Sequence, residues 1–295
     1  MFTSPSIKPL TDLTRQRLIL CILIVMLTPA CVAEVRAMAI NAEWLWTPSD
    51  KQVDGQKHNK GDPTPAAYNT EMAFYTKLIL DADVDIVSLA EIENETVVIE
   101  LVALLGEPWR GYFKQGRDTA TGQDVALLSR LSYIEGSLTD FGFPSGKLPG
   151  SHKKKRLSKI VGARFRVQGK QGETSLGVIT SHFLSKRNDS SKKARNRQKQ
   201  AFALVKASKR FSAKNDKLIL LGDFNDYLGS PVISVLLSGA YLKPAGQHCK
   251  QGINKLGSSR SLDHILYRGL RCIDYKRLDL KQFSDHDAIY SAFTL

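Results

Sequence analysis

LILLGDFND, residues Leu218–Asp226, decides how this chain folds. Four apolar residues run into Gly222, and the segment then turns polar at Asp223, Asn225 and Asp226. Short apolar runs of this kind read as strands buried on both faces. A carboxylate in mid-strand is costly, so the acids belong where the strand emerges. If the segment stays extended, Asp223 and Asn225 point the same way, because strand side chains alternate. An acceptor-only carboxylate and an amide then face one cavity. That pair suits an Asp holding a water or a metal and an Asn bonded to a phosphoryl oxygen. The competing reading is a plain turn, since Gly, Asp and Asn are turn formers.

The same design recurs along the chain. AMAI runs into Asn41, DIVSLA into Glu91 and LGVITS into His182. Polar residues at the ends of several buried strands converge on one rim of a sheet, where sites are usually built. Further strands are expected at Val125–Leu128, Ile160–Val167, Leu262–Tyr267 and Ala288–Phe293. Helical spacing of apolar residues marks Tyr68–Leu80, Thr96–Leu105 and Lys192–Ser208, and Pro231 opens a short helix in PVISVLL. Three polar stretches read as loops: Pro48–Pro65, Thr139–Ser158 and Gly239–Ser261. Strands and helices mixed throughout, with no internal repeat, predict one layered α/β or α+β domain.

The chain has 295 residues, 42 Lys+Arg against 29 Asp+Glu, and a formal charge of +13; 42% is hydrophobic and 24% charged. This is a globular composition. It excludes a disordered tail, a collagen and a multi-span membrane protein. The excess of base favours an anionic partner. The N-terminus stands apart. Lys8, Arg15 and Arg17 precede the apolar run Leu18–Leu27, and the small residues of TPACVA follow. That is the layout of a secretory signal, and the run is short for a membrane span. The division expected is a signal peptide over 1–33 and a catalytic domain over 34–295, with a secreted or periplasmic location. An uncleaved anchor and lipidation at Cys31 are the alternatives. Cys249 and Cys272 remain in the exported part; pairing is possible there, but spacing alone does not bring them within bonding distance.

Glu91 is the best metal candidate, because a hard divalent ion prefers carboxylate oxygen and keeps several waters. Glu93 would share its face only if the strand continued, and a helix starts near there. SDHD at Ser284–Asp287 and SLDH at Ser261–His264 offer an imidazole and acids to orient it, a common general-base pairing. No HExxH, CxxC…CxxC, GxxxxGK[ST] or GxSxG occurs, which weakens zinc-protease, zinc-finger, P-loop and α/β-hydrolase readings.

Taken in order, Asn41, the DIVSLAE strand, TSHF with His182, GDFN, SLDH and the terminal SDH resemble the endonuclease/exonuclease/phosphatase superfamily. This is the group of pancreatic deoxyribonuclease and the exonuclease III-type repair enzymes. The resemblance runs from about Ala37 to Leu295. It implies a four-layer α/β/β/α sandwich, two packed sheets flanked by helices, with the site at one end. It implies that Glu91 binds Mg²⁺ or Mn²⁺ with Asn41 beside it and Asp285 nearby. Asp223 would position the attacking water or a second metal, and Asn225 the scissile phosphate. His286, paired with Asp263, would act as a base or bind phosphate. His182 would contact the phosphate and protonate the leaving oxygen, which tilts the reading to the deoxyribonuclease branch. Tyr112 and Gln123, near the strand in GQDVALLSR, are further contact candidates, and Ca²⁺ is a candidate for a structural site.

The same superfamily includes phosphatases and sphingomyelinases, so the fold leaves the substrate open. HKKKR (His152–Arg156) and SKRNDSSKKARNRQK (Ser185–Lys199) place bases near the expected rim. Lys153, Lys154, Lys155, Arg156, Lys186 and Arg187 are the candidates to track a phosphate backbone. A sphingomyelinase would need an apolar hairpin for the membrane, and FGFPSGKLPG with Phe141 and Phe143 is the segment that could supply one. A degenerate, non-enzymatic surface- or DNA-binding protein would lack a key acid or His, and none is missing. The expectation is a monomeric, metal-dependent, exported endonuclease acting on DNA with little sequence specificity and no membrane span after signal cleavage.

Overall fold

The computed structural model describes residues 34–48, 62–117, 123–137, 140–169, 172–213, 216–249 and 261–295. The expected signal segment 1–33, and with it Cys31, lies outside the described residues, as does most of the loop Pro48–Pro65. Among the described residues, no helix is long and apolar enough to cross a membrane.

Two sheets carry the fold. The first holds β1 (Glu34–Leu45), β2 (Ile86–Ile92), β3 (Arg110–Lys114), β4 (Asp124–Ser129), β12 (Arg271–Asp279) and β13 (Asp287–Thr294), in the order β12-β13-β1-β2-β4-β3. The second holds β7 (Ile160–Gly169), β8 (Gly172–Ser181), β9 (Lys217–Asp223), β10 (Lys243–Pro244) and β11 (Asp263–Arg268), in the order β10-β11-β9-β8-β7. A two-stranded ribbon pairs β5 (Ser145–Lys147) with β6 (Lys154–Arg156). The helices are α1 (Pro65–Asp81), α2 (Glu95–Leu105), α3 (Ser191–Phe211), α4 (Pro231–Ala240) and the single turn α5 (Ala245–His248).

Strand alternation builds three apolar layers. On β1, Met38 and Ile40 face α1 and α2, against Tyr68, Met72, Val98 and Leu101. Their neighbours Val35, Ala37 and Ala39 face the second sheet, against Phe165, Val178, Ile219 and Ile265. On β9, Leu218 and Leu220 turn outward to Leu204, Ile233 and Leu236 of α3 and α4. Because successive side chains point to opposite faces, a strand buried on both sides must be apolar throughout. The four-layer expectation is met.

Each long helix begins at a polar cap. The side chains of Thr64, Asn94, Ser190 and Ser230 accept bonds from the amides of Ala67, Val97, Lys193 and Ile233. Such caps satisfy amides that have no intrahelical partner. Periodicity locates α1 three residues late and α2 and α3 one residue late, since the cap precedes the first apolar position, while Pro231 marks the start of α4 directly. Two strands of the six-stranded sheet have no counterpart among the expected ones. β3 and β12 are the edges of the six-stranded sheet. They are half exposed and carry few of the apolar residues that mark a buried strand. HKKKR, expected in a loop, is instead partly the ribbon strand β6. Gly146 of β5 lies so close to the backbone of Lys199 and Ala203 on α3 that a Cβ there would overlap it. Between α4 and Ser261 the expected loop contains β10 and α5. Cys249, next to α5, is bonded to Cys272 of β12 with a Cα separation of 4.8 Å, which ties the edges of the two sheets together.

Candidate active site

Two parallel pairs, β1 with β2 and β8 with β9, end at one rim. Asn41, Glu91, Ser181–His182 and Asp223 therefore leave the sheets together. The antiparallel neighbours β11 and β13 begin at that rim with Asp263 and Asp287, and Asp263 is the register partner of Asp223. Asn41, Glu91 and Asp223 thus lie toward the ends of their strands, His182 just after β8, and Asp263 at the start of β11.

Local backbone geometry aims the acids. Glu91 has a φ of +61° and falls at a register break in its pairing with both β1 and β4. A bulge re-aims a side chain, and here it turns Glu91 out of the ladder. Left-handed conformations at non-glycine residues cost roughly 1–3 kcal/mol and cluster at functional sites. Gly222 has a φ of +133°, and a Cβ there would overlap the Ser181 carbonyl. Only glycine lets β9 pass β8 this closely. Asn225 also lies in the left-handed region, at φ +51°. The segment is thus not extended through Asn225. Asp223 Oδ1 instead accepts the Asn225 amide at 2.7 Å, and Oδ2 accepts Asn225 Nδ2 at 2.9 Å. The turn and the shared cavity coexist.

Asn41 knits the rim together. Its Nδ2 donates to Glu91 Oε1 at 3.2 Å and to Asp223 Oδ2 at 3.0 Å, and lies 3.5 Å from His286 Nε2. Its Oδ1 accepts the Glu43 amide at 3.0 Å. In this arrangement Asn41 orients the acids; ligation through Oδ1 would require the amide to turn over. Gln123 Nε2 donates to Glu91 Oε2 at 2.6 Å. His182 Nε2 lies 3.5 Å from Asp223 and 3.7 Å from Glu91. His286 Nδ1 meets Asp263 Oδ2 at 2.5 Å. Ser284, which heads the SDHD motif but has no role of its own in the sequence reading, donates to the Asn41 carbonyl at 2.8 Å and accepts the His286 amide at 3.1 Å.

Burial sets the protonation states. It raises the Glu91 carboxyl, against the Asn41 hydrogen bond and the charge of His286. Burial and the neighbouring Asp263 push Asp223 well up. Burial also drives His182 well down, helped by Lys159 and His286, so its imidazole is neutral at pH 7. His286 goes the other way: burial opposes its charge, but Asp263, Asp223 and Asp285 raise it to about 10. Neither ring nitrogen of His182 has a hydrogen-bond partner, nor has Asp263 Oδ1. Buried polar atoms left unpaired ask for a ligand. Three carboxylates (Glu91, Asp223 and Asp263) beside one cationic imidazole form an oxygen-rich donor set that fits a hard divalent cation. Both metal-competent groupings among the described residues, Glu91–His182–Asp223 and Asp223–Asp263–His286, lie here.

The remaining candidates divide. Asp285 lies 3.6 Å from His286 Nε2, but its side chain is 75% exposed and its amide is held by Glu43. Glu93 is buried and accepts from Thr47 N and Oγ1, so it anchors the end of β1 rather than the site. Tyr112 packs on Tyr133 and Phe165 on the inter-sheet side, away from the group. A cleft of about 460 Å³ opens beside His182, with Arg117, Gln123, Lys155, Arg156, Lys159 and Gln200 among its walls. Lys153 and Arg187 are exposed and do not line it. The Lys186 ammonium is held by Asp189 at 3.2 Å and Asp226 at 3.0 Å. Asp226 and Asp189 also clasp the fully buried Arg197. Arg117 escapes a reading by motif because it stands outside any run of charge, and Lys159 because it falls three residues beyond the HKKKR run.

A match to the Endonuclease/Exonuclease/phosphatase family covers residues 53–286. No curated protein matches the chain significantly. Solved structures share its fold at low identity. An endonuclease/exonuclease/phosphatase from Bacteroides vulgatus is 16% identical, with 89% of this chain and 99% of that chain covered and a TM-score of 0.62. The human Nocturnin catalytic domain, with a bound sulfate anion, is 19% identical over 88% and 94%, at 0.59. A mannosyl-6-phosphatase from Bacteroides thetaiotaomicron is 14% identical over 88% and 100%, at 0.58.

Proposed function

The chain belongs to the endonuclease/exonuclease/phosphatase family, and from that premise we propose that it is an exported, divalent-metal-dependent endonuclease that hydrolyses DNA with little sequence specificity. Members of this family are phosphoester hydrolases, and the buried acids suit the divalent ion on which they generally depend. The observation that carries the finer reading is the basic cleft that opens directly beside His182. A phosphate monoesterase needs charge for one phosphate. A cleft with Arg117, Lys155 and Arg156 on its walls suits a chain of them.

The roles follow from the geometry. Mg²⁺ or Mn²⁺ held by Glu91 would supply positive charge for the developing phosphorane. Asp223, made more basic by burial, is placed to take the proton from the attacking water. Cationic His286 presents Nε2 to a phosphoryl oxygen, which favours its phosphate-binding role over that of a base. Neutral His182 donates a hydrogen bond, and a bound phosphate would raise its affinity for a proton that it can pass to the leaving oxygen. Asn225 holds Asp223, and its own Oδ1 accepts the Lys186 amide at 2.8 Å. All of these groups come from one chain, which supports a working monomer. The Cys249–Cys272 bond supports export, since disulfides persist in oxidising compartments.

The test is supercoiled plasmid with Mg²⁺ or Mn²⁺, with and without EDTA, beside sphingomyelin and a phosphate monoester. Nicking that EDTA abolishes is expected from plasmid alone. An inert plasmid with turnover of the lipid or the monoester would move the function to another branch of the family. A second expected result concerns charge. Replacing Lys155 and Arg156 by Ser should flatten the salt dependence of DNA binding by about 0.9 in slope for each phosphate no longer neutralised. Lys186→Ser should leave the slope unchanged, because Asp189 and Asp226 already neutralise that ammonium. A wild-type slope in the double variant would put the phosphate-binding bases elsewhere.

A further inference from the structure

Beyond the His182 cleft lies a second one of about 390 Å³, lined by Arg117, Gly142, Phe143, Ser145, Lys154 and Arg156. The two share Arg117 and Arg156, so a strand bound at His182 can continue into the second across a common wall.

Phe143 is unusual in three ways. It is a bulky residue with a φ of +53°, and it follows Gly142, which is also left-handed. It belongs to none of the apolar layers, whereas Phe141, two residues earlier, is buried against the α3 side of the second sheet. Its half-exposed ring faces cations: Lys114 Nζ lies 4.5 Å and the Arg117 guanidinium 5.2 Å from the ring centre. Lys114 is paired with Asp140. No acid is within ion-pairing distance of Arg117, Lys154 or Arg156 among the described residues. A strained aromatic that contributes nothing to the core, in a cleft whose cations Arg117, Lys154 and Arg156 have no acid partner among the described residues, fits an anionic ligand with a flat face.

We infer that this second cleft is a nucleotide subsite, in which an unpaired base stacks on Phe143 or on the Arg117 plane that covers it, while its phosphate is held by Arg117 and Arg156. Aromatic rings and guanidinium planes are the usual platforms for splayed bases, and stacking tolerates any sequence. A paired base cannot present its face, so the subsite selects single-stranded or locally opened nucleic acid. This deepens the nuclease reading and rests on it for the substrate class. It also tells against the lipid reading of FGFPSGKLPG, because Phe141 is taken up by the core.

The experiment is binding, read in chelator so that no bond is broken and the outcome is separate from whether DNA is cleaved. Fluorescence anisotropy would follow a single-stranded oligonucleotide, the matching duplex and, by sedimentation, phosphatidylcholine/phosphatidylserine vesicles. Phe143→Gly is expected to bind the single strand about 10-fold more weakly and the duplex nearly as wild type. Its Tm should rise, because glycine relieves the left-handed strain. Phe143→Trp should restore single-strand affinity. Arg117→Ser with Arg156→Ser should flatten the single-strand salt slope by about 0.7, the share of the one phosphate they hold. Wild-type single-strand binding by Phe143→Gly would overturn the subsite. Equal losses on single strand and duplex would overturn its selectivity. Loss of vesicle binding with oligonucleotide affinity intact would assign the ring to membranes instead.

Discussion

Asp223→Asn is expected to lower turnover of DNA by about 10³-fold or more, while the protein stays folded. The side chain has three jobs that an amide cannot combine. Its Oδ1 receives the Asn225 amide and its Oδ2 receives Asn41 and Asn225 side-chain donors. It also supplies negative charge for a cation and a basic oxygen for the proton of water. General-base removal alone is worth about 10²–10⁴, and loss of a cation ligand adds to it. The stability change in chelator should be small, because two terms oppose each other. Removing a charge that burial and Asp263 disfavour stabilises the fold. Turning an NH2 group toward existing donors costs about 1–3 kcal/mol. Single-turnover cleavage of plasmid, beside urea unfolding, separates the two. Near-normal turnover in a folded variant would remove Asp223 from the chemistry. Added Mn²⁺ sharpens the test. An ion that binds only the folded state raises stability, by about 2.7 kcal/mol at one hundred times its Kd. That increment should be present in the wild type and absent from Glu91→Ala.

What the sequence reveals follows from what each feature depends on. The strands that end at Asn41, Glu91, His182 and Asp223 are buried on both faces, so their apolar runs are unbroken and the residue at each exit stands out. The edge strands β3 and β12 need no such runs and leave no such mark. The sheet rim likewise can be anticipated from where the runs stop. The backbone devices that aim the acids cannot. The double register break at Glu91 and the left-handed Asn225 depend on neighbours distant in sequence. The extended reading of GDFND puts Asp223 and Asn225 on one face for a reason that does not hold, though the turn brings them to the same place.

The basic segments show the complementary limit. Charge runs single out Lys153–Arg156 and Lys186–Arg187, and the fold divides each pair of neighbours differently. Lys155 and Arg156 reach the cleft because β6 lies in a ribbon packed on α3, while Lys153 precedes it. Lys186 is held by Asp189 and Asp226, two acids that no local pattern connects to it. Arg117 stands alone in sequence yet borders both clefts. A count of bases gives the sign of the partner; only the packing says which bases are available to it.

His286→Gln is expected to lower turnover by about 10²–10³-fold and to make metal-free stability less dependent on pH. In the wild type His286 is the cation among Glu91, Asp223 and Asp263. Burial opposes its charge, and Asp263, Asp223 and Asp285 overcome that, raising it from 6.5 to about 10. A base whose affinity for a proton is higher when folded stabilises the fold fully below its unfolded pKa. That contribution is lost as pH rises through the folded value. The difference in unfolding free energy between wild type and His286→Gln should therefore be largest near pH 6 and shrink toward pH 10. A difference that stays constant over this range would mean that the imidazole is neutral throughout and works as a base instead. Asp263→Asn provides the second half of the argument. Without its carboxylate, His286 should return toward its ordinary range, so activity should gain an alkaline limb at lower pH than in the wild type. The double variant Asp263→Asn/His286→Gln should be little worse than His286→Gln alone, because the acid acts through the imidazole it orients. Additive losses would show instead that Asp263, whose Oδ1 is buried without a protein partner, touches the ion or the substrate directly.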